Sequence, residues 1–280
     1  MQTLLRYPWP AEGVTAFSTT RHAPWPVDDA QRGRMGHYAS FNVTHYCGDD
    51  PLHVSQCRQW LAQELRIAEE RILLPRQTHS AHVLAVDKAL LACSPEERVA
   101  ALDGVDALLT DVEGVCIGIS TADCVPVLLY DARHHACAAV HAGWRGLVQH
   151  ILRHAVACMQ QTYDSDPRHM QALVGPCIGV EAYEVGEEVV QAFQQAGFPT
   201  HLLRRDYPAS QAYTSAPGGQ RALAPHIDLV AAASWELEEC HIPLERIMVT
   251  GLCTYHEHHD FFSARRLGIH SGRIYTGIML

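Results

Sequence analysis

The middle of the chain carries short, continuously apolar runs separated by turn signals: HVLAV near residue 82, DALLT near 106, VCIGIST near 115, VPVLLY near 125, ACAAVHA near 136 and QALVG near 171. A strand with one wet face alternates apolar and polar residues, so unbroken runs describe strands covered on both faces. Such strands need a layer of structure on each side. Helices are the natural cover. Residues 144–163 set Trp144, Leu147, Val148, Ile151, Leu152, Ala155, Cys158 and Met159 at three- and four-residue steps, an amphipathic helix. A second helix is expected from Pro51 to about Leu65, with two more near 184–196 and 227–240. The strands come in adjacent groups rather than in strict βα alternation. The expected fold is therefore α+β, with mixed β-sheets layered between helices in one compact domain over residues 1–280. Residues 204–225, with Pro208, Pro217 and Pro225, read as a long surface loop.

Charge and cysteine usage narrow the function classes. The 21 Lys and Arg against 31 Asp and Glu leave a formal charge of −10, which argues against a nucleic-acid polymer as partner, because phosphate neutralisation needs a basic face. No stretch approaches the roughly 18 apolar residues of a membrane span. The opening MQTLLRYPWPAEGV lacks the apolar core of a secretory signal. A cytoplasmic protein is expected, with its 10 cysteines as thiols. No CxxC pair is present, which excludes a zinc ribbon and a thioredoxin-type motif. Neither GxGxxG nor GxxxxGK[ST] occurs.

Three segments place polar residues beside expected strands: Gln77-Thr78-His79-Ser80, Thr121-Ala122-Asp123-Cys124 and His141-Ala142-Gly143-Trp144-Arg145-Gly146. If 125–130 and 136–141 pair as a hairpin through the turn at 132–135, Cys124 and His141 fall at the same end of it. Taken singly, His79 reads as a hydrogen-bonded structural histidine and Cys124 as a buried apolar residue; it is their joint setting that suggests a site. Asp123 has two readings, a ligand-orienting or proton-accepting group and a turn residue capping backbone N–H groups. His256-Glu257-His258-His259-Asp260 invites a second metal site but reads better as a polar loop. Cys177 reads as a packed thiol. Tyr183 and Tyr255 are candidates to stack on a base.

QTHSAHV, DALLTD, GVCIGISTADCVPVLLYD, AAVHAGWRGL, VGPCIGVEAYEVG and FFSARRLGIHSGR closely resemble the laccase-domain or polyphenol-oxidase family, members of which are described as cytoplasmic purine nucleoside phosphorylases with adenosine deaminase activity. The resemblance runs from about Gly13 to Arg273. It implies a layered α+β fold and one metal site made by one Cys and two His, carried over onto His79, Cys124 and His141, which would also be the catalytic residues. Near the start, STTRHAPWPVDD and ASFNVTHYCGDD depart from the glycine-rich stretch and SLNL of relatives while keeping Asn42, Gly48, Asp49 and Asp50, of which Asn42 is a candidate for substrate binding.

The donor chemistry agrees with that implication. One thiolate and two imidazoles suit Zn2+ or Cu2+, and three protein ligands leave a position open. Water there, its pKa lowered towards about 7, would attack C6 of adenosine and release ammonia. Phosphorolysis also needs cations for phosphate. Arg145 is the first candidate, followed by Arg265, Arg266 and Arg273. The same residues allow a cysteine hydrolase with Cys124 as nucleophile and His141 or His79 as base. They also allow phenol oxidation as copper side chemistry, and a non-enzymatic, metal-stabilised binding protein in which His82 supplies a fourth ligand.

Overall fold

A computed structural model describes residues 2–9, 13–209 and 223–280. Two sheets stack on each other. The larger comprises, edge to edge, β12 (Ile247–Val249), β9 (Gln171–Val174), β7 (Val125–Asp131), β8 (Ala136–Ala142), β5 (Ala107–Thr110) and β4 (Val83–Ala85). The smaller comprises β1 (Leu4–Tyr7), β2 (Thr15–Thr19), β13 (Ile274–Met279), β6 (Cys116–Thr121) and β3 (Ile72–Leu73). Both mix parallel and antiparallel pairs.

The apolar runs are explained by this stacking. Side chains alternate across a strand. Leu109, Val127, Leu129, Ala138 and Val140 therefore face one layer, where Ile151, Leu152, Ala155 and Met159 of α6 (Ile151–Tyr163) and Ala232, Ala233 and Leu237 of α9 (Leu229–Glu239) meet them. Their neighbours Leu108, Leu128, Tyr130, Cys137 and Ala139 face the other sheet, against Ile117, Ile119 and Ile278. The far side of the smaller sheet is closed by α2 (Pro51–Leu65), whose Cys57, Leu61 and Leu65 pack with Phe17, Phe41 and Tyr275. Gly118 leaves room for the Tyr275 ring, which any Cβ there would penetrate. The order is helix, sheet, sheet, helix, the expected α+β layering. No helix among the described residues is long and apolar enough to cross a membrane.

The remaining helices are short: α1 (Asp29–Met35), α3 (Lys88–Ala92), α4 (Pro95–Ala101), α5 (Trp144–Val148), α7 (Glu187–Gln195), α8 (Thr200–Leu203) and α10 (Ala264–Leu267). The single helix expected over 144–163 is in fact α5 and α6, broken at His150, which is left-handed with φ +59°. Its imidazole bonds Glu236 at 2.9 Å and its ring stacks on Phe198. Helical periodicity does not register such a tertiary anchor. The expected loop over 204–225 is also corrected at its ends, where β10 (Arg204–Pro208) and β11 (Leu223–Ile227) form an antiparallel ribbon; residues 210–222 of that expectation lie outside the described residues.

At the start of α2, buried His53 donates from Nδ1 to Asp49 Oδ2 at 2.9 Å and from Nε2 to the Ser40 carbonyl at 3.1 Å. Burial disfavours the imidazolium, but Asp49 and Cys57 outweigh it and push its pKa up to about 10. A folded pKa above the unfolded value near 6.5 stabilises fully below that value, and the contribution is lost as pH rises through about 10. Urea titrations should therefore show stability falling between pH 7 and pH 10. Asp49→Asn should flatten that slope and cost about 3 kcal/mol at pH 7, since it leaves one member of a buried pair alone.

Candidate metal centre

Three connections at one end of the larger sheet bring the ligand-type residues together. The β7–β8 register sets Val125 opposite Ala142 and Pro126 opposite His141, so Cys124 and His141 share a hairpin end as the spacing predicts. His79 comes from the loop before β4. Two of these connections hold non-glycine residues at positive φ, His79 at +62° and Asp123 at +96°, conformations that persist only where the surroundings enforce them. The potential ligand atoms of His79, Cys124 and His141 all lie within 4.8 Å of one another, with Cys124 Sγ 3.8 Å from His79 Nε2.

The group that holds the His79 loop is Asp106, which sequence reasoning passed over as the first residue of DALLT. Its buried carboxylate accepts five hydrogen bonds. Oδ1 receives His141 Nδ1 at 2.7 Å and the His79 amide at 3.0 Å; Oδ2 receives Ser80 Oγ at 2.7 Å and the Ser80 and Thr78 amides at 2.8 and 3.1 Å. Burial opposes this charge, yet His141 and Ser80 hold the carboxyl down at about 2. Because His141 gives its Nδ1–H to Asp106, its Nε2 is left for the cluster.

The residues fit a metal ion. A Cβ on Gly143 would lie 3.0 Å from Cys124 Sγ, 3.0 Å from His79 Cδ2 and 3.6 Å from His141 Nε2, so the glycine keeps open the space on which the three donors converge. Burial pushes the Cys124 thiol up, but the adjacent His141 and His79 bring it down to about 6. His141 is raised in turn, because Cys124 and Asp106 outweigh its burial. A thiol poised as thiolate is the form a metal binds. Gly143→Ala should leave the fold intact, since its backbone at φ −68° suits any residue and the nearest atoms its Cβ would meet are the Cys124 and His79 side chains, while lowering metal affinity at least about tenfold as the donors spread; competition with a chromogenic chelator reads this directly.

The cluster opens into a cleft of about 430 Å³ lined by Tyr46, Gln77, Asp123, Tyr183, Arg265 and Arg273 among others. Asp123 bonds distant segments and not the local backbone N–H groups of its own turn: Oδ1 accepts Thr254 Oγ1 at 2.7 Å and Oδ2 the Arg265 amide at 2.6 Å. It thereby pins α10 beside the cluster. Tyr46, which the sequence reading did not single out, also lines the cleft, its hydroxyl 2.7 Å from Ser120 Oγ and 3.1 Å from Gln77 Oε1.

Several expected substrate residues stand elsewhere. Arg145 does not line this cleft but a neighbouring one of about 700 Å³, where its guanidinium lies over Trp144. Arg265 lines both clefts and stacks on Tyr183. Arg266 lines neither, being held over Tyr255 and bonded to its carbonyl. Arg273 lines the metal-side cleft, but its guanidinium is partly engaged by the carbonyls of Ile269, Ser271 and Gly272. Asn42 is fully buried and acts behind the wall, accepting the Arg273 amide at 3.2 Å and donating to Asp49 at 2.8 Å. His82 is exposed and outside the cluster. The 256–260 segment is a turn-rich loop, as the plainer reading has it, and Cys177 is a buried core thiol.

Comparison with known proteins places this geometry in a family. The family model described as multi-copper polyphenol oxidoreductase laccase matches residues 28–280. A purine nucleoside phosphorylase from Bacteroides thetaiotaomicron is 41% identical over 272 residues, covering 96% of this chain and 94% of the relative. Adenosine deaminase RL5, from an unknown prokaryotic organism, is 42% identical over 267 residues, covering 95% and 94%. The crystal structure of YlmD from Geobacillus stearothermophilus superposes with a TM-score of 0.83 at 30% identity, covering 99% of this chain and 96% of that one. On its sequence, its fold and the Cys-His-His cluster the fold assembles, the chain belongs to the multi-copper polyphenol oxidoreductase laccase family.

Proposed function

We propose that the protein is a cytoplasmic, metal-dependent purine nucleoside phosphorylase, acting on adenosine- and inosine-type nucleosides, with adenosine deamination as a second activity. The observation that carries this reading is the three-donor cluster facing a cleft of nucleoside size. The names of the relatives supply the substrate class, and ten free thiols suit a reducing compartment. His79, Cys124 and His141 would hold Zn2+ or Cu2+, which when bound supplies Lewis acidity at the cleft wall.

Phosphorolysis breaks the C1′–N9 bond, forms a C1′–O bond to phosphate and returns a proton to the purine. Arg265 and Arg273 are the cations at this cleft and would neutralise the phosphate. Tyr183 offers the purine an aromatic face. Asp123, through the Arg265 amide, fixes where that arginine stands. Deamination adds water at C6 and expels ammonia, and uses the same wall.

One observation favours a second reading: Cys124 beside His141, with its thiol near 6, is also a nucleophile pair. Metal analysis separates the two, because a cysteine hydrolase needs its thiolate free for alkylation. Among the described residues this is the one cluster of three or more potential ligands. Multicopper chemistry needs several, so phenol oxidation is confined here to side chemistry of bound copper.

Incubation with inosine or adenosine, with and without phosphate, tests the proposal. Phosphate-dependent release of hypoxanthine or adenine with ribose 1-phosphate is expected. Absence of these products from metal-loaded protein would refute it.

A further inference from the structure

With four residues, β1 is the longest edge strand of the two sheets, against three in β12 and β4 and two in β3. An edge strand turns the N–H and C=O of alternate residues outward. The Thr20 amide donates to the Thr3 carbonyl at 2.7 Å, and the register sets Leu4 opposite Thr19, Leu5 opposite Ser18 and Arg6 opposite Phe17. Thr3, Leu5 and Tyr7 therefore bond β2, while the backbone groups of Leu4 and Arg6 point to the free edge, with no hydrogen-bond partner among the described residues. The edge lacks the usual protection. LLRY holds no proline, and its one charge is drawn aside, Arg6 to Glu64 of α2 at 2.7 Å. Clefts of about 370 and 440 Å³ flank the strand, both lined by Gln2, Leu4 and Leu5 and completed by Phe261 in the first and Trp60 in the second.

We infer that β1 is a dimerisation edge, to which a second copy of this chain adds its own β1 antiparallel, joining two five-stranded sheets into one of ten. The strand is complementary to itself. With Leu5 on the two-fold axis, Leu4 of each copy stands opposite Arg6 of the other. Both are outward-facing positions, so their N–H and C=O groups all find partners. Residues 4 and 6 share a face, and on that face Arg6 reaches Glu64. Arg6 of the second copy arrives beside Leu4 on the same face. Glu64 accepts its own Arg6 through Oε1 and has no hydrogen-bond partner at Oε2 among the described residues, so each carboxylate has an oxygen for the other copy's guanidinium. The two Leu5 side chains meet at the axis as a directly opposed apolar pair. A foreign extended peptide would fill the edge without this reciprocal exchange of charge. The inference is independent of the metal centre and of the nucleoside reading.

The test is the mass of the metal-loaded full chain by light scattering over a concentration series. A mass twice the 31.1 kDa of one chain, falling to one chain on dilution, is expected, with slower amide exchange at Leu4 and Arg6 in the dimer. Arg6→Pro removes an outward N–H and the cation while sparing the bonds to β2. Each copy then loses a hydrogen bond and an ion pair across the axis, so the dimer dissociation constant should rise at least about tenfold. Arg6→Glu should do the same by repulsion from Glu64, and adding Glu64→Arg to it should restore the dimer. Thermal unfolding and circular dichroism establish that each variant is folded. Met248→Lys, on the β12 edge of the other sheet, should leave the mass unchanged. A single-chain mass at every concentration, a dimer that survives both Arg6 substitutions, a charge swap that fails to restore it, or a dimer dissolved by Met248→Lys overturns the inference.

Discussion

Cys124→Ser protein should purify folded, carry no stoichiometric metal, and lose more phosphorolytic activity than the roughly 100-fold that loss of a mere supporting partner costs a metal site. The direction follows from donor chemistry. Serine keeps the shape of cysteine but is neutral where the thiol, drawn down to about 6 by the two histidines, is a thiolate. Two imidazoles alone make a weak site for zinc or copper. Folding should survive because Cys124 is only partly buried and sits at a strand end outside the core clusters. Elemental analysis beside thermal unfolding and an assay for ribose 1-phosphate separates loss of metal from loss of structure.

Asp106→Asn should hurt differently, lowering metal affinity and stability together. An amide has one acceptor oxygen and one donor nitrogen, whereas all five partners of Asp106 are donors. If the new NH2 group faces Ser80, it opposes two amides. If it faces His141, the imidazole must shift its proton to Nε2, the nitrogen the metal needs. Either orientation leaves buried donors unpaired, so a loss of about 2–3 kcal/mol in chemical denaturation accompanies a 10- to 100-fold weaker metal affinity, both order-of-magnitude expectations. An effect on affinity with unchanged stability would mean that Asp106 merely orients His141 and does not anchor the His79 loop.

The layered fold was legible because its strands are covered on both faces, and that condition writes itself directly into VPVLLY and ACAAVHA as unbroken apolar runs. The hairpin end was legible for the same reason, since 17 residues of strand, turn and strand bring Cys124 beside His141. What stayed hidden was the set of partners that depend on distant segments. Asp106 joins positions 27 and 35 residues away, and no local pattern marks an acidic residue at a strand start as the anchor of two loops. His150 breaks a well-patterned helix because Glu236, 86 residues on, holds it. The arginines were the least legible. Arg145, Arg265, Arg266 and Arg273 look alike as cations in sequence, yet stacking and backbone carbonyls assign them to different places: one to the larger cleft, one to the shared wall, one away from both, and one to the metal-side cleft. Asn42 looked like a substrate contact and is a buried strut behind Arg273.

Elemental analysis of protein purified without added metal, paired with single-site replacement of His79, Cys124 and His141, is the most direct measurement of the metal centre. One zinc or copper per chain, lost together with phosphate-dependent nucleoside cleavage in each replacement, is the expected result. Full phosphorolytic activity in protein freed of metal by chelation would contradict it.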